Sequence, residues 1–194
     1  LVVVPYRVKF KKELLKIAKL LKEAAVLSSD KNLQAYLKAR AEDLLRDNYD
    51  HSNILWLKTD RSKIGFVIGP FDRYLDQLFF KKRAYMAWIG VLDDEQTTNE
   101  MDRFKKLILM SDRSFLPGAK RAKISRVNVR IEDSVIFSGL IADFLFVGNN
   151  LPSSADISLI KKYGTMFTVF KPTHEWRFEN WILPIFQQVF TRDI

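Results

Sequence analysis

Ile64-Gly65-Phe66-Val67-Ile68-Gly69-Pro70 marks the place where the chain stops reading as helix. Upstream, from Phe10 to Val26 and from Asn32 to Arg46, apolar residues recur at i, i+3 and i+4, which predicts two helices. Ser28-Ser29-Asp30 between them supplies a break and an N-cap, so the pair reads as a helical hairpin. From Asn53 the apolar runs shorten. Ile54-Leu55-Trp56-Leu57 and Ile64 to Ile68, separated by the polar turn Thr59-Asp60-Arg61-Ser62, predict two short strands. Gly69-Pro70 should end the second, because proline fixes φ and lacks a donor.

Downstream, Ala84 to Leu92 reads as a second β-rich stretch and Glu95 to Met110 as a helix. Ile124 to Ile131 alternates apolar and polar residues, the pattern of a half-buried strand. Val135 to Val147 fits either a strand or a buried helix, and Gly148-Asn149-Asn150-Leu151-Pro152-Ser153-Ser154 has the composition of a loop. Lys161-Lys162-Tyr163-Gly164 closes a short helix, Met166 to Phe170 forms a strand, and Trp176 to Phe190 a terminal helix kinked at Pro184. Helices and strands do not alternate strictly, so the fold class is α+β: an N-terminal helical hairpin, a small mixed β-core with interspersed helices, and a C-terminal helix. Residues 1–50 form the helical part and 53–194 the β-core of one domain or lobe.

With 194 residues, 47% of them hydrophobic and 28% charged, the chain can bury one sizeable core and is not a disordered protein. Cysteine is absent, which removes disulfides, thiol nucleophiles and Cys metal sites, and suits a reducing, cytoplasmic setting. His51 and His174 are the only histidines, too few and too far apart for the spacings of a zinc site. No recognisable metal site is therefore expected in this stretch. The longest apolar run is broken by Ser138, Gly139 and Asp143 and falls short of the ~20 residues that span a bilayer, so no membrane association is expected. The start, Leu1-Val2-Val3-Val4-Pro5, has no initiating Met and reverses the order of a signal peptide, the mark of an excised segment.

The net charge of +9 raises the question of an anionic partner. Arg7, Lys9, Lys11, Lys12, Lys16, Lys19 and Lys22 alternate with Leu14, Leu15, Ile17, Ala18, Leu20 and Leu21, which describes a solvated amphipathic helix better than a phosphate-binding one. A second run, Lys120, Arg121, Lys123, Arg126 and Arg130, has no aromatic pattern or Gly-x-x-Gly clamp of an RNA-binding module. Nucleic acid is the minority reading.

Other chemistry-bearing candidates are thin. Asp72, Asp76 and Asp93-Asp94-Glu95 lack the spacing of a calcium loop and fall where turns need polar residues. His174 stands at a helix start with Thr173 as its cap, and His51 in an exposed turn. Trp56, Trp88, Trp176 and Trp181 lie in apolar surroundings and read as core.

Four motifs in order resemble the dipeptidyl peptidase III family, in particular its bacterial zinc-hydrolase branch. Leu21-Lys22-Glu23-Ala24-Ala25, Asn32 to Ala41, and Asp47-Asn48-Tyr49 with Ser52 and Trp56 form the first. The strongest is Ile68-Gly69-Pro70-Phe71-Asp72-Arg73-Tyr74-Leu75-Asp76-Gln77-Leu78-Phe79, similar to an Ile-Gly-Pro-x-Glu-x-Tyr-x-Asp-x-Leu-Phe segment. Asn150-Leu151-Pro152 followed by Gly164, and Ile182-Leu183-Pro184-Ile185, complete the series over roughly Leu20 to Phe190.

The resemblance implies the N-terminal, substrate-binding portion of a two-lobed zinc metallopeptidase, with a barrel-like β-core that binds a peptide by strand addition. Its zinc helix would lie beyond Phe190, so zinc belongs to the full-length protein, none is expected in this segment, and the segment alone is inactive. The implied partners are a peptide substrate and the catalytic lobe of the parent chain. On the substrate wall, Asn150 matches an asparagine that holds the peptide's N-terminal end, and Gly69 belongs to the Ile-Gly-Pro segment. Ser153 replaces a second asparagine, Gly65 a glutamate that meets the peptide amine, and Val67 a polar or aromatic contact. Losing that carboxylate removes a charge-assisted contact worth about 1.5–3 kcal/mol. Phe80-Lys81-Lys82-Arg83 and Met86 also depart from the family pattern. These departures leave a second reading, a non-catalytic peptide- or protein-binding module of the same descent, and charge alone supports a third, a basic nucleic-acid-associated module.

Overall fold

Asp30 decides where the first two long helices part. Its carboxylate accepts from the backbone N–H of Asn32 at 2.8 Å and of Leu33 at 3.1 Å, the N-cap arrangement that satisfies donors a helix start leaves open. The computed structural model describes residues 2–72, 83–93, 99, 101–103, 127–144, 146–152 and 157–190. Two compact units emerge, interleaved along the chain: residues 1–64, 111–128 and 151–166 form one, and 65–110, 129–150 and 167–194 the other.

In the first unit a short helix, α1 (Tyr6–Lys9), leads into α2 (Lys11–Leu27), which packs on α3 (Lys31–Leu44), and α3 packs on α4 (Asp50–Trp56). Leu14, Ala18, Leu21 and Ala25 make the buried stripe of α2, at the spacing a helix needs to keep one face inward. They meet a core that includes Leu33, Tyr36, Leu37, Ala41 and Leu44, where each fully buried leucine contributes about 1.5–3 kcal/mol. Arg40 is buried with them. Its guanidinium lies over the Tyr36 and Tyr49 rings, at 5.4 and 5.3 Å, and donates to Asn53 Oδ1 at 2.7 Å. Asp43 accepts from the Ser52 backbone N–H at 2.9 Å. The first of the four sequence motifs thus holds α3 against α4.

Ile54 to Trp56 is helix, not the expected strand. The run is too short for periodicity to decide, and burial of Ser52, Asn53 and Trp56 on one helical face against α3 settles it. His51 is exposed on this helix rather than in a turn.

The strands are β1 (Ile64–Asp72), β2 (Ala84–Leu92), β3 (Val127–Gly139), β4 (Gly148–Leu151) and β5 (Thr165–Phe170), and among the described residues they form one sheet ordered β1-β2-β3-β5-β4. The fold is α+β, with the expected strand Ala84 to Leu92 in place. Gly69-Pro70 does not end β1, which runs on to Asp72; β1 stands at one end of the sheet, where a residue without an N–H is tolerated. β2 and β3 pair antiparallel from Met86↔Gly139 to Leu92↔Glu132, with a bulge at Ile89/Gly90. Trp88 and Phe137 each meet the Phe170 ring edge-on, at 5.3 and 5.1 Å, and Val67, Met86 and Ile131 are buried as well.

Val135 to Val147 is neither wholly strand nor wholly helix. The strand ends at Gly139, whose φ of 71° suits glycine, and a one-turn helix, α5 (Leu140–Asp143), follows. The supposed loop at Gly148 is β4. Helix α6 (Ile157–Tyr163) closes at Gly164, φ 88°, as expected.

After β5 comes a continuous helical stretch: α7 (Lys171–Arg177), a π turn at Phe178–Ile182, and α8 (Leu183–Phe190). Pro184 cannot donate to the carbonyl four residues back, and the π turn just before it absorbs the mismatch. Thr173 is not the helix cap: Phe170 precedes the helix, Pro172 sits in its first turn, and Thr173 is buried inside it. Nor are all four tryptophans core. Trp56 and Trp88 are buried, whereas Trp176 and Trp181 stack edge-on at 5.8 Å on an exposed surface that includes Phe178, Ile185, Phe186 and Phe190. No helix among the described residues is long and apolar enough to cross a membrane. Residues 73–82, Asp94, Glu95, the basic run 120–126 and Ser153 lie outside the described residues, as does most of the expected helix 95–110, of which 99 and 101–103 are helical.

Candidate functional site

Among the described residues β4 stands last in the sheet, and it carries the two asparagines of Gly148-Asn149-Asn150-Leu151. Hydrogen bonding beside β5 holds this turn-like composition as a strand: the Phe170 backbone N–H donates to Val147 C=O at 2.9 Å, and the Thr165 side-chain hydroxyl donates to Leu151 C=O at 3.0 Å. Gly148 is required by close approach, since a Cβ there would come within 2.6 Å of the Thr168 carbonyl oxygen. Asn149 Nδ2 lies 3.6 Å from Met86 Sδ, while the Asn150 side chain is exposed. Leu151 is buried and precedes a cis peptide to Pro152. A strand in this position can present backbone N–H and C=O groups to an extended ligand, with an amide side chain that both donates and accepts beside them.

The other candidate residues, Gly65, Val67 and Gly69, alternate along β1 and are buried. They occupy the first strand of the sheet order and Asn150 the last, so the two sets belong to different strands of the same sheet.

Beside Gly65 lies a charged cluster that the sequence reading missed. Arg130 and Glu132 are two residues apart on β3, hence on one face, and each is only 1% exposed. Arg130 Nε donates to Glu132 Oε1, and Trp88 Nε1 donates to Glu132 Oε2 at 3.1 Å. Gly65 and Gly90 make the room: a Cβ on either would meet the Glu132 carboxylate. Arg130 therefore leaves the basic surface run and serves as the internal counter-charge of Glu132. The signal was available as Arg-x-Glu on a strand with period two, flanked in space by glycines.

A second pair closes the end of β2. Lys171 Nζ reaches both oxygens of the buried Asp93 at 3.2 and 3.1 Å. The hydrogen bond to Asp93, reinforced by its charge, raises the lysine pKa above its ordinary value. Asp72 is likewise buried, so neither aspartate is an open carboxylate. Among the described residues no three of His, Cys, Asp and Glu come together as a metal site, and His51 and His174 are both exposed.

No family model matches the chain. It is 30% identical over 183 residues to Nudix hydrolase 3 of Arabidopsis thaliana, a match covering 94% of this chain and 23% of that protein. Among solved structures it resembles dipeptidyl-peptidase III from Corallococcus sp. strain EGB, with a TM-score of 0.82 and 30% identity over 96% of this chain and 35% of the other. It also resembles the Caldithrix abyssi enzyme, with a TM-score of 0.85 and 28% identity over 97% and 36%. The chain thus spans about a quarter of the curated relative and about a third of each solved structure, and over that length it has the fold of part of a dipeptidyl-peptidase III.

Proposed function

We propose that the chain is the N-terminal, substrate-binding portion of a zinc-dependent peptidase of the dipeptidyl-peptidase III type, and that it receives a short extended peptide along β4. The observation that carries this reading is the match to dipeptidyl-peptidase III over nearly the whole chain at 28–30% identity. β4, last in the sheet among the described residues and with Asn150 exposed on it, would supply the surface for strand addition, in which main-chain hydrogen bonds give affinity and a polar side chain gives register. Gly69 and Val67 act from inside, as packing under the sheet. The zinc and the general base would come from the catalytic lobe of the parent chain, the apolar surface of α7 and α8 would face that lobe, and the protein would work in the cytoplasm.

Glu132 favours a second reading. The room beside Gly65 is filled by a carboxylate already matched to Arg130 and Trp88, so no open negative charge remains there for a peptide amine. A module that binds peptides without cleaving them would have this character. Isolation of the native gene product from its source cells, with intact mass, zinc content and turnover of short peptides, separates the two. A longer polypeptide with one zinc and measurable turnover is the expected result; a metal-free product that binds peptides intact would replace the peptidase reading with the second.

A further inference from the structure

α2 has an outward face that the hairpin core does not use. Leu15 and Val26, with the edge of the buried Ala18 and with Leu45 just beyond α3, form the apolar floor of an open groove of about 410 Å³, rimmed by Lys19, Lys22 and Glu23. Leu15 is 48% and Val26 76% exposed, next to the buried stripe of Leu14, Ala18 and Leu21. The rim is basic: Lys19 pairs loosely with Glu23 at 3.9 Å, while Lys11, Lys12 and Lys22 are exposed on the same side of the helix.

We propose that this groove docks an acidic amphipathic helix of a protein partner, apolar residues down and carboxylates toward Lys19 and Lys22. The shape favours a helix. The floor residues run from Leu15 to Val26, about three helical turns along α2, a length that an incoming helix lying alongside can match. The charge favours an acidic one. A second copy of this chain, at +9 overall, would bring like charge to the lysine rim, whereas carboxylates at i and i+4 positions on the incoming helix would meet it.

The probe is a fluorescein-labelled designed peptide of about 18 residues, with leucines at i, i+4, i+7 and i+11 and glutamates flanking them, titrated with the full chain and read by anisotropy. Saturable binding is expected, at least about tenfold tighter than for a permuted peptide of the same composition without an apolar face. Lys19→Glu with Lys22→Glu, and separately Leu15→Asn with Val26→Asn, should each weaken it about tenfold while circular dichroism stays unchanged, all four positions being exposed. Absence of saturable binding, equal binding of the permuted peptide, or parent-like binding by either double variant would overturn the proposal. So would phosphatidylserine vesicles that capture the chain as well as the peptide does and release it in the same variants.

Discussion

Glu132 occupies the place that a side chain at Gly65 would take. The carboxylate reaches across β2 above Gly90, and a Cβ built on Gly65 would fall on its Oε1. The missing side chain on β1 and the buried acid on β3 are therefore one structural feature. Gly65→Ala should destabilise the chain by about 2–3 kcal/mol, because Glu132 must leave Arg130 or Trp88 to make room. Glu132→Ala alone removes the buried carboxylate that Arg130 and Trp88 both donate to and should cost about 3–5 kcal/mol. In urea titrations the double variant should lose clearly less than the sum of the two, and strict additivity would separate Gly65 from Glu132.

Asp30 caps α3 through two backbone N–H groups. Replacing it with alanine removes both acceptor contacts at an exposed helix start, and the expected loss is about 1 kcal/mol in the unfolding midpoint analysis. Asp30→Asn, which keeps an acceptor oxygen, should recover most of it.

Lys171 reports on the end of β2 through pH. Its folded-state pKa is raised by the hydrogen bond to Asp93, so the stability that pair contributes is complete below the unfolded lysine value and fades as pH climbs through the raised one. Lys171→Met should therefore differ most from the parent at neutral pH and converge toward it in strongly alkaline buffer, above the ordinary lysine range, where the parent lysine discharges. A gap that widens with pH would contradict the pairing.

The helical stretch from Lys171 to Phe190 presents more aromatic and aliphatic surface than a solitary helix normally leaves in water. Phe186→Lys with Phe190→Lys should shift stability by no more than about 0.5 kcal/mol, both rings being exposed. The same variant should lower dye binding to exposed apolar surface and reduce self-association in sedimentation velocity. A large stability loss would place those rings in a core instead.

The boundary between what the sequence shows and what it conceals follows physical lines. Asp30 and the strand Ala84 to Leu92 were legible because a cap and an apolar β-rich run are local signals. Ile54 to Trp56 was not, since four apolar residues carry no period and only packing on α3 makes them helix. Gly148 to Leu151 reads as a loop by residue type, yet pairing beside β5 and the close approach of Gly148 to Thr168 make it a strand. Arg130 reads as surface charge within a basic run, because the partner that buries it, Glu132, shares its face only once the strand forms. On the candidate site itself, Asn150 was legible through the Asn-Leu-Pro motif, while the filling of Gly65 by Glu132 depends on three strands meeting and has no local signature.

The most direct test is hydrogen–deuterium exchange of the backbone amides of Gly148–Leu151, with and without a saturating short peptide. Slowed exchange in β4 is expected on peptide addition, with the peptide's affinity weakened about tenfold when Asn150 is changed to alanine. Protection confined to other segments, or none at all under conditions where the peptide binds, would contradict it.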